Sequence, residues 1–198
     1  MNVLSLFDGM SCGRIALERA GIKVDSYYAS EIDKYAMTVA KANWPENINL
    51  GDVQHINYQM LPQIDLVIGG SPCQGFSFAG KQLNFADPRS ALFFEFVHAV
   101  RELKPKYFML ENVKMKKEHL QVITEQLGVE PILINSALVS AQNRNRYYWT
   151  NIPGVTQPED KGILLADIIN GGYVDREKSY CIDANYWKGR NPKQYFNK

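Results

Sequence analysis

The sequence predicts an α/β protein: a mostly parallel sheet with helices on both faces. Three observations carry this. Apolar runs alternate with helical patterns from the first residue, the βα signature of such a sheet. Glycine or acidic residues stand directly behind several runs, where parallel strands end and loops that bear chemistry begin. The chain has 198 residues, 45% hydrophobic and 22% charged, which suffices to bury one core.

Residues 2–7 read as the first strand, and residues 13–20 as a helix with Ile15, Ala16, Leu17 and Ala20 as its apolar side and Gly21 as its stop. A second strand is expected at 24–30 and a second helix at 35–43, ended before Pro45. Short strands fit 50–53 and 65–68. The pattern over 91–103 is a helix stopped by Pro105, and 107–110 is the strand after it. Then come a helix at 117–127 closed by Gly128, a strand at 132–135 and a last strand at 147–150. Beyond Pro153 only 163–169 reads as a helix. Tyr173, Tyr180, Tyr186, Trp187, Tyr195 and Phe196 follow no period, as if another segment supplied their packing partners. This divides the chain into a domain at 1–152 and an extension at 153–198.

Net charge is +1, so a nucleic-acid partner has to be met by a local basic surface. Residues 178–198 offer one, with Lys178, Lys188, Arg190, Lys193 and Lys198 against the single acid Asp183. The three cysteines, Cys12, Cys73 and Cys181, are odd in number and form no CxxC pair, which argues against a disulfide framework and against a zinc site; no metal is expected. No apolar run approaches the ~20 residues that cross a bilayer, and the expected location is the cytoplasm.

Chemistry concentrates at the predicted strand ends. Phe7-Asp8-Gly9-Met10-Ser11-Cys12-Gly13 joins the first strand to the first helix, and its glycines let a ligand approach the backbone near a helix N-terminus. Glu31 ends the second strand 18 residues after Gly13, close to the ~20-residue offset of an acid that accepts from a ribose. Asp52 follows Gly51 at the third. With no lysine in the glycine loop, the site suits an adenosyl ligand better than a triphosphate that needs Mg²⁺. Glu31 and Asp52 as plain helix caps are the competing reading. In GGSPCQGFS (69–77), Cys73 lies behind the run Leu66-Val67-Ile68 rather than inside it, and Glu111 stands behind Tyr107-Phe108-Met109-Leu110. A thiol and a carboxyl group at one sheet edge suit addition to an electron-poor ring: the thiolate attacks and the acid stabilises the ring atom that gathers charge. Arg144 and Arg146, one residue apart on an extended chain, point to one side and could orient that acid or hold a carbonyl oxygen.

In order and spacing, LSLFDGMSCG, SEID, GDV, GGSPCQGFS, DPRSALFFEF, ENV and QNRNRYYW resemble the motif series of the DNA cytosine-5 methyltransferases over residues 1–152, with a likeness to bacterial, phage and animal de novo members. The resemblance implies a Rossmann-like S-adenosylmethionine-dependent methyltransferase fold, with S-adenosylhomocysteine as product and a cytosine flipped out of duplex DNA as substrate. By position, it makes Cys73 the nucleophile toward C6, Glu111 the residue that engages N3 and the exocyclic amine, and Arg144 and Arg146 the pair that orients ring and carboxylate. Phe7, Asp8, Gly9, Met10, Ser11, Cys12, Gly13, Glu31, Ile32, Asp52, Val53, Pro72 and Leu92 fall where the family holds its cofactor. Gln74, Ser77 and Lys81 fall in its DNA-contacting loop. Family members continue into a target-recognition region and two further motifs that are not visible here. Three readings follow: part of a longer enzyme, one subunit that needs a companion, or an inactive binding module. Transfer RNA is the alternative acceptor.

Overall fold

The computed structural model describes residues 1–72 and 88–181, with the helical backbone alone for 88–91. Seven strands form one sheet in the order β3-β2-β1-β4-β5-β7-β6: β1 (Asn2–Leu6), β2 (Ser26–Ser30), β3 (Ile48–Asn49), β4 (Leu66–Gly69), β5 (Tyr107–Val113), β6 (Ile132–Asn135) and β7 (Asn145–Thr150). The first five pair in parallel, and β7 runs antiparallel to β5. The helices are α1 (Cys12–Arg19), α2 (Lys34–Asn43), α3 (Pro88–Leu103), α4 (Lys117–Leu127) and the short α5 (Leu165–Ile168).

Alternation along the strands builds two cores. Leu4, Leu6, Val67, Phe108, Leu110 and Trp149 point to one face, where Phe93, Phe96 and Val97 of α3 and Ile123 of α4 cover them. Val3, Tyr27, Ala29, Leu66 and Ile68 point to the other, against Leu17 of α1. Trp149 is fully buried, and its indole N–H donates to Thr124 Oγ1 at 3.0 Å, so the large ring leaves no polar atom unpaired.

Several elements shift by two or three residues at an end, among them α3, which starts at Pro88, and α5, which keeps only Leu165–Ile168 of 163–169, and two more differ for a visible reason. The strand expected at 50–53 forms two residues earlier, because Gly51 turns the chain at φ 76° and Asp52 then caps a 3₁₀ turn at Val53–His55. The strand expected at 107–110 runs on to Val113, since β7 supplies an antiparallel partner for Glu111, Asn112 and Val113.

The chain forms two compact units. The first comprises Met1–Leu133 and Arg146–Thr156; the second comprises Ile134–Asn145 and the chain from Gln157 onward. The second is a loop braced by a tail: Asn143 N–H donates to Ser179 O at 2.9 Å, Ser179 N–H to Ala141 O at 2.7 Å, and Lys161 N–H to Leu138 O at 2.7 Å.

Candidate active site

Strand register places the site. Leu6, Ser30, Gly69 and Leu110 stand in one row across four parallel strands. The next residues along the chain, Phe7, Glu31, Gly70 and Glu111, therefore emerge together at the C-terminal edge, around the point between β1 and β4 where strand order reverses.

At the β1 end the backbone itself is shaped. Phe7, Gly9 and Ser11 have φ of 57°, 60° and 61°, so three of five successive residues are left-handed, a conformation costing about 1–2 kcal/mol for each non-glycine. Internal bonds hold it. Asp8 is buried and accepts from Tyr27 Oη at 2.7 Å and from Ser11 Oγ at 2.5 Å. Burial, and then the Asp8 carboxylate, push the Tyr27 hydroxyl far above the usual phenol range, so it stays a donor. Glu31 closes the loop from β2: Oε2 accepts from Gly9 N–H, and Oε1 from the N–H groups of Ile32 and Asp33, all at 2.8 Å. A carboxylate has about four acceptor positions. Three are taken among the described residues, which leaves Glu31 one open acceptor position.

Beside Glu31 lies a cavity of about 170 Å³ lined by Phe7, Ile32, Asp52, Val53, Pro72 and Leu92 together with Ser30 and Gly51. Seven of the residues assigned from sequence to cofactor binding, counting Glu31, thus meet at one pocket. A larger cavity of about 580 Å³ lies on the other side of Glu31, beneath α2, with Lys34, Trp44 and Asn47 in its wall. The smaller one gathers the predicted residues from four strand ends, and the chemistry points there.

The other glycine-loop residues take different places. Asp8 is spent inside the loop, Met10 is half exposed, and Cys12 is exposed at the start of α1. Gly13 is glycine for packing: a Cβ there would collide with Ile68 Cδ1 and stand 3.0 Å from Tyr27 Oη. Ser11 and Gly9 line the larger cavity.

On β5, Glu111 faces Tyr148 and Val113 faces Arg146. Arg146 is therefore the diagonal neighbour of Glu111 on the same sheet face, and its Nε lies 2.8 Å from Glu111 Oε1. Both side chains are largely covered, which strengthens the pair relative to one in open solvent. Arg144 precedes β7 and belongs to the second unit, where its Nη1 lies 3.3 Å from Cys181 Sγ.

Two residues that sequence reasoning passed over complete the edge. Gly70 lets the carboxylate in, since a Cβ there would stand 3.2 Å from Glu111 Oε2. Asn112, 2% exposed, donates through Nδ2 to Ser71 O and Oγ at 3.3 and 3.2 Å, and its Oδ1 accepts from Val113 N–H at 2.8 Å. It ties the exit of β4 to β5 just ahead of Pro72. The signals were the doubled glycine in GGSPC and the asparagine of ENV. Cys73, Gln74, Ser77 and Lys81 lie outside the described residues. Among the described residues, no cluster of three or more His, Cys, Asp or Glu could hold a metal ion, and no helix is long and apolar enough to cross a membrane.

This fold, with its pocket at the switch point, is that of the S-adenosylmethionine-dependent methyltransferases. The chain belongs to the C-5 cytosine-specific DNA methylase family, whose model matches residues 1–162. It is 40% identical to an orphan methyltransferase of Bacillus phage SPR over 75% of this chain and 37% of that one. It is 38% identical to a type II methyltransferase of Lactococcus lactis subsp. cremoris over 99% of this chain and 54% of the relative. The chain thus spans about half, or less, of the length of these two relatives. Among solved structures, a putative DNA modification methyltransferase encoded within an Escherichia coli prophage superposes with a TM-score of 0.62 at 28% identity, covering 76% of this chain and 46% of that one.

Proposed function

We propose that this chain is the cofactor-binding and catalytic portion of an enzyme that transfers a methyl group from S-adenosylmethionine to C5 of cytosine in duplex DNA. One observation carries the reading: Phe7, Glu31, Gly70 and Glu111 emerge side by side at one sheet edge, with Arg146 on Glu111 and the small pocket around Glu31.

The donor set fits an adenosyl group. The open acceptor position of Glu31 suits a ribose hydroxyl, Asp52 offers a carboxylate to an exocyclic amine, and Phe7, Ile32, Val53 and Leu92 offer apolar surface to a flat heterocycle. When bound, the cofactor supplies an electrophilic methyl on a sulfonium. Glu111, oriented by Arg146, holds N3 and the exocyclic amine of a flipped cytosine, and Arg144 orients the ring. The Cys73 thiolate adds to C6, which makes C5 nucleophilic. Once C5 is methylated, loss of its proton expels the thiolate and restores the ring.

The test pairs a calorimetric titration of S-adenosylmethionine with transfer of labelled methyl groups to duplex DNA and to transfer RNA. Cys73→Ala abolishes transfer and leaves cofactor affinity within about twofold. Undiminished transfer by this variant removes Cys73 from the mechanism, and transfer to RNA alone replaces the acceptor.

A further inference from the structure

We infer that Lys178 is a positioning residue for Arg144: its ammonium fixes the loop on which that arginine stands. The inference rests on the reading of Arg144 given above.

A lysine in a basic tail is ordinarily a solvated charge on a long flexible stem. Lys178 is half-buried, and Nζ donates to Ile163 O at 2.6 Å, to Ala137 O at 2.7 Å and to Ser140 O at 3.2 Å. An ammonium has three protons, so the three carbonyls saturate it. They come from two stretches: Ala137 lies within the turn at Ser136–Leu138 and Ser140 just after it, and Ile163 belongs to the tail. A single cation thus ties tail to turn, with charge-assisted bonds about twice as strong as neutral ones.

That turn holds Arg144. Asn135 Oδ1 accepts from Arg144 N–H at 2.9 Å and from Ala137 N–H at 3.1 Å, and Ser136 N–H donates to Arg144 O at 3.0 Å. Both backbone groups of the arginine therefore end on Asn135 and Ser136. The strip that carries Lys178 bonds the other flank, with Ser179 bridging Ala141 and Asn143 and Cys181 Sγ beside the guanidinium. Remove the ammonium, and three carbonyls lose their shared donor while the arginine loses its brace. A displacement near 1 Å in a catalytic group costs on the order of 10²-fold in rate.

The experiment compares Lys178→Met, which keeps the apolar stem, with Lys178→Arg, Arg144→Ala and the double variant. Hydrogen exchange in Lys178→Met is expected to rise about tenfold or more at the amides of Ser136, Asn143, Arg144 and Ser179, and to stay unchanged across β1, β2 and β4. Labelled-methyl transfer falls on the order of 10²-fold, with S-adenosylmethionine affinity unchanged and partial recovery in Lys178→Arg. Arg144→Ala falls as far, and the double variant no further, because both changes remove one function. Unchanged exchange in Lys178→Met overturns the inference. A double variant much slower than Arg144→Ala overturns it too, as does a loss confined to DNA affinity and its salt dependence, which makes Lys178 a phosphate contact. Full activity in Arg144→Ala overturns the role of Arg144 instead, and with it the positioning role, while the exchange measurement still decides whether the lysine holds the loop.

Discussion

The Glu31 corner and the Glu111 edge lie on the same sheet edge but are secured by different means. At the corner, backbone does the shaping: left-handed residues at Phe7 and Ser11 bend the loop, and Glu31 binds three N–H groups, two beside it in the chain and that of Gly9 22 positions away. At the edge, one ion pair joins side chains 35 positions apart, and it exists because β7 runs antiparallel beside β5. The corner is thus held by several hydrogen bonds that converge on Asp8 and Glu31. The edge rests on an ion pair between side chains from two strands, so removal of either partner weakens the hold on the other.

The sharpest way to break this contrast is Glu111→Gln. The amide keeps the volume and one acceptor but loses the charge that Arg146 faces, and with it the hold on N3 that the proposed mechanism gives to Glu111. Methyl transfer is expected to fall about 10²–10⁴-fold, the usual contribution of a positioned acid, with cofactor affinity unchanged. Single-turnover transfer measured with calorimetry checks both halves; a fall in cofactor affinity would show that corner and edge are one device.

A smaller effect is expected at the corner. Glu31→Ala removes the acceptor of three N–H groups and the position left for a ribose hydroxyl. S-adenosylmethionine binding weakens about 10–100-fold, at roughly 1.4 kcal/mol per decade, and the Gly9 amide exchanges faster. Titration calorimetry reads the first and hydrogen exchange the second. Unchanged affinity would show that Glu31 does not hold the ligand, since it lines both cavities.

The corner was legible in the sequence because its logic is local. Periodicity located β1 and β2, a residue after each strand is where ligands meet a parallel sheet, and Glu31 follows the glycine loop at a readable offset. Glu111 was legible as an acid behind an apolar run. Its position inside β5 was not, because the extra pairs come from a strand more than thirty residues later. Gly13 read as an approach for ligand, and the close approach of Ile68 to it is a second constraint that only packing shows. The turn at Gly51 displaced β3 because a positive φ outweighed the β-favouring residues around it. Lys178 carried no local signal: its three acceptors are 15, 38 and 41 positions away.

Tyr58→Phe is the weakest perturbation and tests whether the corner is independent of the packing behind it. Tyr58 lies on the 3₁₀ turn at Tyr58–Met60, edge-on to His98 of α3 with ring centroids 5.4 Å apart. Its hydroxyl is buried with no hydrogen-bond partner among the described residues, and burial, reinforced by Glu95 and Glu102, pushes it up to about 12. In the unfolded chain the same group loses its proton near 10. Between those values the folded protein holds a proton that the unfolded chain has released, so stability must fall as pH rises from 10 to 12. Phenylalanine keeps the ring and deletes both the unpaired oxygen and the titration. Stability near pH 8 is then unchanged or higher by up to ~1 kcal/mol, the decline above pH 10 is shallower than in the parent, and cofactor affinity does not move. Urea unfolding at pH 8 and pH 11 measures the first two; destabilisation at pH 8 would mean that the hydroxyl is bonded after all.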